Sequence, residues 1–141
     1  MCVPESNPMR VTIHRGGHQI GGTCIEVASE GTRIILDAGL PLEADMDRGP
    51  LMPPVSGLFV PDRPPVDALF LTHAHVDHSG LIAASCADVP VWMTADTSKM
   101  LMAGNIFAHQ PAVPRERQRI LVPGDPIRVG AFTVTALPVD H

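Results

Sequence analysis

A short apolar run that leads directly into four metal-binding side chains constrains this chain more than any other feature. Ala68–Leu71 predicts a buried strand, and His73, His75, Asp77 and His78 follow it. In extended backbone, side chains at positions i and i+2 project to the same side, so His73 and His75 can aim at one point. The turn that follows lets Asp77 and His78 face a neighbouring point.

These four side chains have the chemistry of a metal site. Imidazole nitrogen binds Zn²⁺ at about 2.0–2.1 Å, and a carboxylate can hold a second ion or a water. A role in packing alone is a poor explanation for four such residues within six positions, because buried imidazoles and carboxylates need partners. Two ions about 3.5–4 Å apart can activate a water molecule. We predict a metal centre in which Asp77 is the catalytic residue that holds and deprotonates that water.

The periodicity of the rest of the chain predicts a layered α/β domain covering residues 1–141. Seven further strands are predicted, the first three forming an antiparallel meander: Val11–His14, Thr23–Ala28, Arg33–Asp37, Pro90–Thr94, Ile120–Val122, Ile127–Val129 and Phe132–Val139. Helices are predicted over Ser79–Ser85 and Ala95–Ala108, the second beginning near Asp96 or Thr97. Within that helix, Met100 to Met102 are expected to pack in the core. Arg115–Arg119 is charged and is predicted to be solvated.

Residues 41–65 form a proline-rich loop that contains seven of the 15 prolines. No regular element is expected there, because proline removes a backbone donor and fixes φ. A loop of this length in a compact domain is often functional. A surface excursion is an equally good interpretation of the same composition.

Composition bounds the class of protein and its ligands. The chain is 45% hydrophobic and 18% charged, a balance typical of soluble globular proteins. We expect neither a transmembrane helix nor a secretory leader. Its three cysteines are odd in number and widely separated, which disfavours a disulfide framework and favours the cytoplasm. The formal net charge of −5 counts against nucleic acid as a ligand of this segment itself.

Three further polar residues have candidate roles at the centre. Asp37 could cap a turn, but its place after a buried strand and before Gly39 favours support of the metal site. Asp140 could orient the neighbouring His141 or simply face solvent. His18 lies in a glycine-rich turn that could approach the site, which makes it a possible substrate contact.

Other polar and sulfur-containing residues are interpreted as structural. His14 on a predicted strand and His109 at a helix end are expected to be surface or satisfied core residues rather than ligands. Cys24 and Cys86 are interpreted as small buried hydrophobes. The glycines at 16, 17, 21 and 22 fit tight turns better than a phosphate-binding loop, because their spacing matches neither nucleotide motif.

The segment His73-x-His75-x-Asp77-His78 resembles the motif of the metallo-β-lactamase superfamily. Asp37 resembles that family's first acidic position, Gly21–Val27 its opening hairpin, and His141 its third metal-ligand histidine. The resemblance implies the first half of an αβ/βα sandwich, with a mixed, mostly antiparallel sheet and flanking helices. It further implies that His73, His75 and His141 bind one ion and that Asp77 and His78 belong to a second. Two Zn²⁺ are expected in a complete site, with Mn²⁺ or Fe as alternatives.

Within the superfamily the chain looks most similar to the ribonuclease J-like, β-CASP branch. The segments that carry this likeness are Ile20–Gly22, Leu36–Leu40, Asp67–Thr72 and Val139–His141. This branch implies hydrolysis of a phosphodiester, with RNA as the substrate. The family's bridging aspartate and final histidine would come after His141, so we expect this chain to be an N-terminal half.

Two other functions fit the same residues. The bond cleaved could instead be an ester, a lactone or a thioester, which an acidic cleft would suit. Alternatively, the chain could be a catalytically incomplete half-domain whose exposed sheet face causes self-association or pairing with a complementing second half.

Overall fold

The computed structural model describes residues 7–42 and 52–139, which form a layered α/β unit. Its strands are β1 (Arg10–Arg15), β2 (Cys24–Ser29), β3 (Thr32–Leu36), β4 (Ala68–Phe70), β5 (Val91–Thr94), β6 (Gln118–Leu121), β7 (Ile127–Val129) and β8 (Phe132–Val134). Its α-helices are α1 (Val76–Ser79) and α2 (Ala95–Ala108), with 3₁₀ turns at Ile82–Ala84 and Arg115–Arg117. None of the described helices is long and apolar enough to cross a membrane.

Strands β1 to β6 lie side by side in chain order in one mixed sheet. The predicted antiparallel meander of β1, β2 and β3 is confirmed. The prediction that most strand pairs are antiparallel is wrong for this sheet. The pairs β3–β4, β4–β5 and β5–β6 are all parallel. A parallel neighbour needs a long connection that returns the chain to the same end of the sheet, whereas a short turn gives antiparallel pairing. Strands β7 and β8 form a separate antiparallel hairpin.

The two faces of the sheet bury different cores. Ile35, Leu69 and Met93 point to the face where Leu81 and Leu101 pack. Ile34, Ala68 and Phe70, their neighbours in sequence, point the other way. They form a second cluster with Leu121 of β6 and Phe132 of the β7–β8 hairpin. Because successive residues of a strand alternate between faces, the continuous apolar runs of β3 and β4 are buried on both sides.

Helix α2 spans the predicted residues but buries less than expected. Its N-cap is Thr94, whose Oγ1 accepts a hydrogen bond from the Thr97 amide at 3.3 Å. Leu101 is buried, whereas Met100 and Met102 are 62% and 54% exposed, so the expected core packing is wrong for both methionines. Consecutive helix positions lie about 100° apart, and only one of the three can face the sheet.

Two predicted element boundaries are also wrong. The helix expected over Ser79–Ser85 is instead α1, which ends at Ser79, followed by a separate 3₁₀ turn over Ile82–Ala84. The strand expected over Phe132–Val139 ends at Val134, where its pairing with β7 ends. Both differences arise from tertiary pairing, which local periodicity does not encode.

Arg117 contradicts the prediction that Arg115–Arg119 is solvated. Its guanidinium is buried and donates to the Val89 carbonyl at 3.0 Å, to the Ile82 carbonyl at 3.3 Å and to the Ser85 hydroxyl at 2.8 Å. Burial lowers the pKa of Arg117. Hydrogen bonds to three oxygen atoms offset the cost of burying the charged side chain.

The proline-rich loop takes part in the core where the structure describes it. Val55 and Leu58 are buried in the cluster on the helix side of the sheet. The Cys86 amide donates to the Leu58 carbonyl at 2.8 Å, and the Arg33 guanidinium donates to the Ser56 carbonyl at 2.9 Å. Residues 53–59 therefore contribute to the core, whereas residues 61–65 are exposed. Residues 43–51 lie outside the described residues.

A buried carboxylate joins the three antiparallel strands. Glu26 on β2 accepts hydrogen bonds from Arg33 on β3 at 2.8 and 3.2 Å, and its Oε2 lies 2.9 Å from the Nε2 of His14 on β1. The hydrogen bonds from Arg33, and secondarily that from His14, lower the pKa of Glu26 to about 2 although burial opposes this. The ion pair therefore contributes stability above the ordinary carboxyl pKa and loses it as the pH falls toward 2.

We predict that Glu26→Gln removes an acid-sensitive part of the folding free energy. Between pH 5 and pH 2 the wild-type chain should lose roughly 3 kcal/mol more stability than the variant. Urea unfolding followed by Trp92 fluorescence measures this difference. Asp96→Asn is the control, since Asp96 is an exposed residue 3.4 Å from Lys99 and should not alter the pH profile. Parallel profiles for wild type and Glu26→Gln would contradict the assignment.

Candidate metal centre

The candidate centre lies where the parallel strands β3 and β4 end together. Leu36 pairs with Phe70 at the ends of these strands, so the segments that follow emerge side by side. Asp37 begins one of these segments, and Thr72 to His78 occupy the other. The carboxyl ends of parallel strands are a usual place for binding sites.

Asp37 occupies the base of the centre. Its side chain is only 2% exposed, and its backbone adopts the left-handed conformation with φ of 61°. Oδ1 accepts a hydrogen bond from the Thr72 amide at 2.8 Å. Oδ2 accepts one from the Thr72 hydroxyl at 2.8 Å and lies 2.7 Å from the His78 Nδ1. Asp37 thus contacts both Thr72 and His78 of the motif, and its support of a bound metal stays a prediction.

Backbone hydrogen bonds fix the helical turn that carries Asp77 and His78. The Ala38 amide donates to the His78 carbonyl at 2.9 Å, and the Thr23 amide donates to the Asp77 carbonyl at 3.2 Å. Gly39 packs so closely that a Cβ there would lie 1.7 Å from the Asp77 carbonyl oxygen. The backbone of the segment after β3 therefore holds this helical turn in position.

His73, Asp77 and His78 converge above Asp37. One ligand atom from each lies within 4.8 Å of the others, and all three residues are half-buried. The His78 Nε2 lies 3.6 Å from the Asp77 Oδ2, and the rings of His73 and His78 are 4.1 Å apart. Two imidazoles and one carboxylate form a donor set that fits zinc and similar divalent ions.

His75 lies beside this group rather than within it. It is exposed, and its ring meets that of His73 edge-on at 4.8 Å between centroids. His141 and Asp140 lie outside the described residues. The expected division of ligands, with His73, His75 and His141 on one ion, therefore stays a prediction.

The other polar candidates lie around the centre or away from it. His18 is exposed in the bend between β1 and β2. The residues after that bend approach the centre at Gly21, where an added Cβ would lie 3.0 Å from the Asp77 Cβ. A substrate contact at His18 stays a prediction. His14 contacts Glu26 in the strand network, and His109 ends α2 in the left-handed conformation.

The cysteines differ in burial. Cys24 is buried as predicted, and burial raises the pKa of its thiol to about 12, so it remains protonated at neutral pH. Cys86 is only half-buried but packs against the same core cluster.

The sequence pattern alone did not indicate a role for two residues that shape the centre. The Thr72 hydroxyl contacts both Asp37 and His73, and Gly39 admits the Asp77 carbonyl. A hydroxyl residue directly before a histidine motif, and a glycine directly after a predicted strand, were the available signals. Their roles depend on contacts between segments about 35 residues apart.

A family model described as a beta-lactamase superfamily domain matches residues 32–141. A transcription termination factor, FttA of Methanosarcina mazei, is 29% identical over 107 residues, which are 72% of this chain and 16% of that protein. An RNase J-like protein of Methanocaldococcus jannaschii is 39% identical over 69 residues, covering 49% of this chain and 14% of that protein. The chain spans between 14% and 21% of the length of the curated relatives it matches.

Solved structures share the fold. A protein of unknown function from Enterococcus faecalis V583 matches with a TM-score of 0.72 and 29% identity, covering 94% of this chain and 38% of that one. A B3 metallo-β-lactamase with an active-site glutamic acid matches with a TM-score of 0.56 and 24% identity, covering 83% and 46%. The expected resemblance to the metallo-β-lactamase fold and to ribonuclease J-like proteins is confirmed.

We predict that Gly39→Ala weakens zinc binding at least about tenfold, because the new methyl group displaces the Asp77 carbonyl and the turn behind it. Competition with a chromophoric chelator measures the affinity. Gly31→Ala is the control: its Cβ meets no atom within 4 Å, although φ of 78° makes the residue strained. The Gly31→Ala control should lose stability but keep wild-type zinc affinity. Equal zinc affinities for the wild type and both variants would refute the role of Gly39 in positioning the turn.

Proposed function

Because the chain belongs to the metallo-β-lactamase superfamily, we propose that it supplies the metal-binding part of a hydrolase that cleaves RNA. The observation that carries this proposal is the convergence of the His73, Asp77 and His78 ligand atoms within 4.8 Å. A buried acidic residue behind them, Asp37, supports the same conclusion, because it fixes one of the imidazoles.

RNA is the proposed substrate because of the relatives. The matched relatives include an RNase J-like protein, a probable RNase and a transcription termination factor. This chain matches only a part of each of these proteins. The net charge of −5 is unfavourable for binding a phosphate backbone. We therefore propose that other parts of the intact protein, such as a β-CASP domain, supply the basic surface.

The residues of this chain have distinct proposed tasks. A bound divalent cation, zinc first and manganese or iron as alternatives, would supply Lewis acidity toward water and phosphate. His73, His75 and His141 would hold one ion, and Asp77 and His78 a second. Asp77 would also position the attacking water and accept its proton. Asp37 keeps the His78 ring oriented through Nδ1, so that Nε2 faces the Asp77 carboxylate.

We further propose a cytoplasmic location, which the cysteines support. Cys24 and Cys86 are both free thiols, as expected for a reducing compartment.

Strand β1 exposes an apolar surface that supports the proposed association. Val11 and Ile13 are 58% and 59% exposed on the sheet face that carries the β7–β8 hairpin, beside Val27 and Ile25. We propose that a complementing second half or a second copy covers these side chains. The chain should therefore sediment as an associated species, and replacing Val11 and Ile13 by threonine should shift it toward the monomer. A wild-type chain that remains monomeric at micromolar concentration would contradict this proposal.

For the intact protein we predict that Asp77→Asn lowers RNA cleavage by about 10²–10⁴-fold, since a group that moves a proton is lost. Initial rates on a fluorescently labelled single-stranded RNA measure this effect, with Asp96→Asn as a control that removes an exposed carboxylate elsewhere. An ester and a lactone substrate are tested in parallel. Unchanged RNA cleavage by Asp77→Asn would refute its role, and hydrolysis of the ester or lactone alone would refute the choice of substrate.

A further inference from the structure

The Thr72 hydroxyl lies between the buried carboxylate and a second histidine of the centre. Thr72 Oγ1 is 2.8 Å from Asp37 Oδ2 and 2.9 Å from His73 Nδ1. The Thr72 amide also donates to Asp37 Oδ1 at 2.8 Å. The hydroxyl is therefore held at a fixed place relative to both partners.

The available hydrogens determine the direction of these bonds. A hydroxyl has one hydrogen, and a carboxylate oxygen can only accept, so the Thr72 hydrogen is directed to Asp37. Toward His73 the Thr72 oxygen can then act only as an acceptor. His73 must therefore carry its hydrogen on Nδ1, and its Nε2 has the lone pair that a metal ligand requires.

The same carboxylate acts directly on the other imidazole. Asp37 Oδ2 lies 2.7 Å from His78 Nδ1, which assigns the hydrogen of that ring to Nδ1 as well. The remaining nitrogen of His78, Nε2, is the atom 3.6 Å from Asp77 Oδ2. The two rings, 4.1 Å apart, thus receive the same tautomer from a single acidic residue.

We propose that Thr72 is a positioning residue that extends the control of Asp37 from His78 to His73. Through its hydroxyl, one buried carboxylate sets both imidazoles as Nδ1–H tautomers before any cation binds. A neutral histidine in water otherwise divides its hydrogen between the two nitrogens, and part of the binding free energy is spent on selecting the correct form. The purpose of this arrangement rests on the proposed metal-binding function, but the tautomers themselves do not.

The test compares a variant that lacks the hydroxyl with one that keeps it. Thr72→Val preserves the shape and the backbone hydrogen bond to Asp37, whereas Thr72→Ser preserves the hydroxyl. Long-range ¹H–¹⁵N correlation spectra of histidine-labelled, metal-free protein at about pH 8 report the tautomer of each neutral ring. We expect His73 and His78 to be Nδ1–H in the wild type and in Thr72→Ser. In Thr72→Val, His73 alone should change toward a mixture.

Zinc affinity, measured by chelator competition, should fall about tenfold in Thr72→Val and stay within about twofold of the wild type in Thr72→Ser. Thr133→Val, at an exposed position of β8, is the control for loss of a hydroxyl elsewhere. An Nε2–H tautomer for His73 in the wild type would overturn the proposal, and so would equal behaviour of the valine and serine variants. Failure to cleave RNA would leave these spectra unchanged, so the two proposals fail separately.

Discussion

The arrangement of the candidate metal centre depends on the hydrogen bonds of one buried carboxylate. Asp37 follows β3 and accepts from both the amide and the hydroxyl of Thr72, which follows β4. It also contacts His78 on the short helix beyond. Because a buried carboxylate without donors is costly, these contacts and the fold require each other. The strained left-handed backbone at Asp37 is typical of a residue that is held in place for function.

The parallel pairing of β3 with β4 makes this geometry possible. It brings Asp37 and Thr72, separated by 35 positions in the sequence, to the same edge of the sheet. The backbone of Ala38 and Gly39 then packs against the turn that contains Asp77 and His78. Packing thus holds the candidate metal-binding side chains in place, and side chains fixed in this way lower the cost of binding a ligand.

The sequence predicted the parts that depend on local pattern. Alternating and continuous apolar runs located β1 to β5 and α2. The spacing of the motif predicted that His73 and His75 aim at one point and that Asp77 and His78 face a neighbouring one, whereas the structure groups His73 with Asp77 and His78. The pattern could not reveal that three pairings are parallel, because connections of similar composition can cross a sheet or turn back. Arg117 was misjudged because its partners are carbonyls of a distant loop. Thr72 and Gly39 acquire their roles only through approach to Asp37 and Asp77, which neighbouring residues in sequence do not specify.

We propose that His73, Asp77 and His78 contribute ligands to bound divalent ions above Asp37. X-ray diffraction from zinc-saturated crystals of the intact protein, with data collected on both sides of the zinc absorption edge, tests it most directly. We expect an anomalous peak, or a pair of peaks about 3.5–4 Å apart, about 2.0–2.2 Å from the histidine nitrogens and the Asp77 carboxylate. Zinc bound only elsewhere, with no anomalous peak among these three side chains, would show that they are not metal ligands.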